Sequence, residues 1–191
     1  MQELCQNQPM KKAILYKRFP LLSILLYNGT TVLHFFIGGV ILLYLHRFWG
    51  AFSIVAAAVY FILSMLEMYL LMPLSVCRHC VYFRMENGLC ISGMNIVTKK
   101  LVGSGNPLNF PNRAKGPFCP NNLYIVSLLL PLLYGIPILI VNFTRPLLYL
   151  VGLVFILLVV RFMLIVPKLA CVHCLSKFVC PQAGQMGVRE K

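Results

Sequence analysis

The stretch EMYLLMPLSVCRHC, residues 67–80, decides how this chain is read. An apolar run carries one acid, Glu67, then Pro73, and ends on Cys77, Arg78, His79 and Cys80. The same phrase recurs as RFMLIVPKLACVHC, residues 161–174, with Arg161 for the acid, Pro167 for the proline, and Cys171, Val172, His173 and Cys174 at the end. Five residues separate charge from proline and three separate proline from cysteine in both copies. A cysteine-rich chain can produce one CxxC pair by accident. The matched histidine, proline and intramembrane charge make duplication of a two-span unit the economical reading.

Working outward, each phrase closes one of two paired apolar runs. Pro20–Tyr44 and Phe52–Val76 are joined by a tight turn at Trp49 and Gly50, and Leu123–Val141 and Pro146–Val166 by Asn142–Arg145. A membrane helix needs about 20 apolar residues, and all four runs supply them. The first is longer than a signal-peptide core of about 7 to 15 residues and lacks a small-residue cleavage site, so it is expected to stay as a span. With 60% hydrophobic residues and a mean hydropathy of +0.83, the chain is more apolar than ordinary soluble domains. The expected fold is an all-α integral membrane protein, with four transmembrane helices as two tandem helical hairpins and a cytoplasmic cysteine-rich metal-binding module. The expected boundaries are a tail at 1–19, a hairpin at 20–76, a cysteine-rich loop at 77–121, a second hairpin at 122–167, and a cysteine-rich tail at 168–191. Within the loop, Met94–Val102 is expected to form a short interfacial helix ended by glycines.

Charge sets the orientation. The 17 Lys and Arg face only four acids, with no Asp, for a net charge of +13. A nucleic-acid binder needs its basic residues on one accessible face, whereas these sit in blocks between apolar runs. Four lie in the first tail, six in the central loop and four in the last tail, against Arg47 and Arg145 on the other side. The positive-inside rule then places both termini and the central loop in the cytoplasm. The partners implied are anionic lipid headgroups and other membrane subunits, with no nucleic acid.

All eight cysteines, Cys5, Cys77, Cys80, Cys90, Cys119, Cys171, Cys174 and Cys180, fall on that same side, where a reducing compartment favours metal ligation over disulfides. Zinc is the first cofactor reading, because four thiolates, or three with an imidazole, close a tetrahedral site. Such a segment has few large apolar residues, so metal is expected to supply its folding energy. Two iron-sulfur clusters are the alternative, since eight cysteines make two sets of four and Cys119-Pro120 and Cys180-Pro181 echo a cluster-binding ending. A thiol oxidoreductase ranks last, because both phrases follow the C-terminal end of a span, where the helix dipole opposes a thiolate. One partition of ligands places Cys77, Cys80, Cys90 and Cys119 in one site and Cys171, Cys174 and Cys180 with Cys5 or His173 in another; it closes the shorter loops. The other lets the two phrases converge on a shared ion.

The layout is similar to that of the DHHC palmitoyltransferases, which also carry a cytoplasmic cysteine-rich loop between their second and third spans. The similarity stops at the nucleophile motif, which requires an Asp that this chain lacks. No catalytic constellation is present. The function expected is a non-enzymatic scaffold or assembly partner, with a membrane electron carrier and, less favoured, a small transporter as alternatives.

The repeat places Glu67 and Arg161 at one depth, about 9 Å inside the boundary at about 1.5 Å per residue. They are expected to form a buried ion pair, with Asn28 at a similar depth beside them. The competing reading keeps Glu67 protonated and lets Arg161 snorkel to the headgroups. His34, deeper in the first span, is expected to be a hydrogen-bonded packing residue. Asn28-Gly29-Thr30 and Asn142-Phe143-Thr144 match the glycosylation pattern, but the first is inside a span and the second too close to the membrane.

Overall fold

The computed structural model describes residues 14–114 and 119–189. Among them every regular element is helical, and extended backbone pairs only at two isolated bridges, Tyr16 with Cys174 and Arg18 with Leu89. Four helices are long and apolar enough to cross a membrane: Leu21–Leu43, Ala51–His79, Pro120–Val141 and Arg145–Cys171. They match the four runs read from the sequence. The second and fourth spans are longer than their apolar runs, because each CxHC phrase begins while the helix is still wound.

The first span is the central one and packs against all three others. Its Phe35 and Leu42 join Ala57, Tyr60, Leu128 and Leu158 in one buried cluster. Its Ile37 and Ile41 meet Ile138, Leu147, Val151 and Val154 in another. Leu25, Phe36, Leu63, Leu133, Ile140 and Phe155 point outward. An exterior this apolar is unstable against water and suits lipid. The protein is an integral membrane protein.

Small residues let the spans approach closely. A Cβ added at Gly38 would lie 2.7 Å from Pro131 Cγ and 2.8 Å from Tyr60 Cε1, both atoms of rigid rings. The Gly38 carbonyl also accepts a 2.6 Å hydrogen bond from the Tyr134 hydroxyl. Gly38→Ala is therefore expected to destabilise the bundle by about 1 to 3 kcal/mol. Gly29, with nothing within 4 Å of its added Cβ, is the control. Thermal unfolding of both variants in detergent checks the difference, and equal midpoints would refute it.

The helices change winding at the repeated charges. The second span turns from α to π over Glu67–Leu71, and the fourth over Arg161–Cys171. Met72 N–H bonds the carbonyl of Glu67, and Val172 N–H that of Pro167 at 3.3 Å, each five residues back. A proline inside an α-helix lacks a donor and crowds the carbonyl four residues earlier. The wider turn before Pro73 and around Pro167 absorbs both problems. In the third span, Pro131 and Pro137 sit within one continuous helix, Pro120–Val141, as membrane helices allow.

The two phrases, the central loop and the first tail all gather at one end of the bundle. The short helix expected in the loop forms at Met94–Leu101, burying Met94, Asn95 and Thr98. It follows Gly93, whose φ of +70° suits glycine. Asn95 ties the preceding turn, donating to the Gly88 carbonyl at 2.7 Å and accepting from Cys90 N–H at 3.1 Å. Asn28 on the first span donates to the Ser92 carbonyl at 3.1 Å. It anchors the loop to the bundle.

Candidate functional site

Tyr82, 1% exposed, holds the gathered end together. Its hydroxyl donates to the Tyr16 carbonyl at 2.6 Å and accepts from Leu175 N–H at 3.3 Å. One side chain thus joins the segment after the first phrase, the first tail and the segment after the second phrase. The tail runs as an extended strip between the two halves: Tyr16 N–H bonds the His173 carbonyl at 3.0 Å, and Phe19 N–H the Leu89 carbonyl at 2.9 Å.

The two phrase histidines do matching work. His79 Nδ1 lies 2.8 Å from the Asn106 carbonyl, and His173 Nδ1 lies 2.7 Å from the Ile14 carbonyl. Because a carbonyl only accepts, Nδ1 carries the proton in both. Tyr16 stacks on His173 at 4.5 Å. Gly105 takes the corresponding place near His79, and its added Cβ would come within 2.5 Å of that ring's Cε1. Each histidine clasps a neighbouring segment, and neither is among the residues lining the cavity beside the phrases.

That cavity, of about 210 Å³, is lined by Cys77, Cys80 and Cys90 from the first half and Cys171, Cys174 and Cys180 from the second. Cys80 Sγ lies 3.1 Å from the hydroxyl of Ser176, just past the second phrase. As the side chains stand, no three of Cys, His, Asp or Glu among the described residues are grouped to share a metal ion. Cys119 has another place. It is the N-cap of the third span, its Sγ accepting from Asn122 N–H at 3.4 Å, with Pro120 as the first helical residue. Cys180 occupies the N-cap position of the helix Pro181–Gln185, with Pro181 as its first residue. Both Cys-Pro pairs are therefore helix starts, where proline's missing donor is harmless. Cys5 lies outside the described residues.

The cysteine-rich end also has an apolar core, which the sequence reading did not anticipate. Val76, Phe110, Cys180, Ala183 and Val188 pack together, with Met72, Val172 and Met186 around them. Cysteine packs as a small hydrophobe here. Burial pushes the Cys174 thiol up to about 12, the nearby sulfurs of Cys80, Cys171 and Cys180 add to the rise, and the backbone of Ser176 partly offsets it. The Tyr82 hydroxyl is also raised, first by burial.

The cavity reaches into the membrane as far as Arg161, Tyr124 and Tyr27. Arg161 is 3% exposed. Its two terminal nitrogens donate to the hydroxyls of Thr31 and Tyr124, and its guanidinium lies 4.7 Å from the centre of the Tyr27 ring. Glu67, 9% exposed, accepts from the Ser127 hydroxyl through Oε2, and its Oε1 is buried without a partner. Both charges face the interior, but their contacts are to hydroxyls instead of to each other, so the direct ion pair expected from the repeat is absent. Nor does Arg161 snorkel. Holding an arginine in a span costs about 2.5 to 3.5 kcal/mol on insertion scales. His34, 2% exposed, meets the expectation of a packing residue, its Nε2 hydrogen-bonded to the Leu128 carbonyl at 2.8 Å.

Comparison of the chain with known protein families, curated proteins and solved structures finds no match in any of the three. The functional reading therefore rests on this geometry.

Proposed function

We propose that the protein is a non-enzymatic membrane scaffold built from a duplicated two-span unit, whose halves are clamped at the cytoplasmic surface by a zinc ion held between the two CxHC phrases. The observation that carries this reading is the single cavity lined by three cysteines from each half. The duplication is supported by the π turn that begins at each intramembrane charge and by the matching Nδ1 contacts of His79 and His173. Ligation requires the sulfurs to swing inward from the cavity walls, a change of rotamer at each cysteine. Thiolates are soft ligands suited to zinc, and binding displaces their protons. The placement of Cys119 favours the shared-ion arrangement over one drawn from the central loop alone. Both termini are assigned to the cytoplasm by the Lys and Arg distribution, with anionic headgroups and other membrane subunits as partners.

Metal analysis of protein purified anaerobically in detergent is the test. Zinc at about one ion per chain, without visible absorbance, is expected. Cys80→Ser and Cys174→Ser should each lose the metal, whereas Cys119→Ser should keep both the metal and the cap, because a serine hydroxyl accepts at an N-cap as the thiol does. Iron with acid-labile sulfide and broad visible absorbance would replace this reading with an electron carrier.

A further inference from the structure

Arg161 is a buried cation at the membrane end of a cavity. Its guanidinium carries five N–H donors, and the hydroxyls of Thr31 and Tyr124 take two. Hydroxyls and aromatic rings orient a guanidinium without neutralising it. The one acid within the spans, Glu67, is turned to Ser127 and does not line the cavity. Among the residues that share the cavity with the arginine, Met68, Ile125, Phe162 and Val166 are apolar. A fixed cation with open donors in a cavity that also has apolar walls is complementary to an anionic oxygen group on a hydrocarbon body.

We propose that Arg161, with Tyr124 and Tyr27, forms a binding site for the acidic head of an amphiphile, a carboxylate or phosphate whose oxygens accept from the guanidinium. The Arg161 end of the cavity takes the head, and its apolar lining takes the first carbons. Thr31 and Tyr124 hold the guanidinium in place, so the ligand meets a preorganised donor set. The site sits in the membrane beyond the cysteines and does not depend on metal. It gives an intramembrane charge the counter-ion that such residues require.

The experiment is equilibrium binding of radiolabelled oleate to the full-length protein in nonionic detergent, with methyl oleate and acetate as competitors. Saturable oleate binding is expected, unaffected by excess methyl oleate. Arg161→Met should weaken it about tenfold or more, and Tyr124→Phe by a smaller factor, with helical content and elution volume unchanged. Acetate without effect at millimolar concentration identifies the amphiphile as ligand, whereas full competition by acetate identifies a free small anion at the same guanidinium. Methyl oleate competing as well as unlabelled oleate, or Arg161→Met binding oleate like the parent, would overturn the proposal. The methyl oleate comparison uses the unaltered protein, so it decides even if Arg161→Met fails to fold.

Discussion

Tyr82→Ala lowers the stability of the cysteine-rich end by about 3 to 5 kcal/mol, the cost of emptying a fully buried aromatic site. Its hydroxyl serves two segments, so the loss extends to the dock between the first tail and the second phrase. Tyr82→Phe keeps the ring and gives up only the hydroxyl, for about 1 to 2 kcal/mol. Limited proteolysis near Tyr16 should accelerate strongly in the alanine variant and weakly in the phenylalanine variant. If both variants match the parent, Tyr82 is not the joint described above.

In metal-free protein, Cys174 is alkylated far more slowly than an ordinary thiol. Moving the thiol from 9 to about 12 cuts the thiolate fraction at pH 8 by about 10³, because the thiolate is the nucleophile. A more basic sulfur is intrinsically more reactive, by about 20-fold over this range, which leaves a net slowing of about 50-fold. Iodoacetamide labelling read by peptide mass spectrometry checks this, and labelling at the rate of a reference peptide thiol would refute it. The same shift has a consequence for stability. Between about pH 9 and 12 the unfolded chain releases this proton while the folded protein keeps it, so stability falls as pH rises through that window and is untouched below it. A resting thiol this basic argues against disulfide exchange at Cys174, for a reason separate from the dipole argument made on the sequence.

The spans were legible because a membrane helix advertises itself by length and apolarity alone, and the repeat was legible because charge, proline and cysteine are rare enough to align. What the charges touch was not. Thr31, Tyr124 and Ser127 lie in apolar helices, where a hydroxyl resembles a packing residue until the helices are placed beside one another. The pairing of Glu67 with Arg161 was inferred from depth, but depth does not fix the direction in which a side chain leaves its helix. The role of Ile14–Phe19 was hidden for another reason. An extended strip that pairs one residue at a time with two distant segments leaves no periodicity. The signal for Cys119 was available in its proline: Cys-Pro followed by Asn-Asn and an apolar run is a helix start before it is a ligand pair.

The π turns at Glu67 and Arg161 act as phase shifters. In an α-helix each residue advances the direction of its side chain by about 100°, so a locally wider turn rotates everything beyond it relative to the bundle. Winding the same five residues, Glu67–Leu71, as α-helix instead would swing the first phrase by about that angle, carrying Cys77 and Cys80 away from the wall they share with Cys171 and Cys174. The angular setting of the cysteines is thus established inside the membrane, two turns before the chain leaves it.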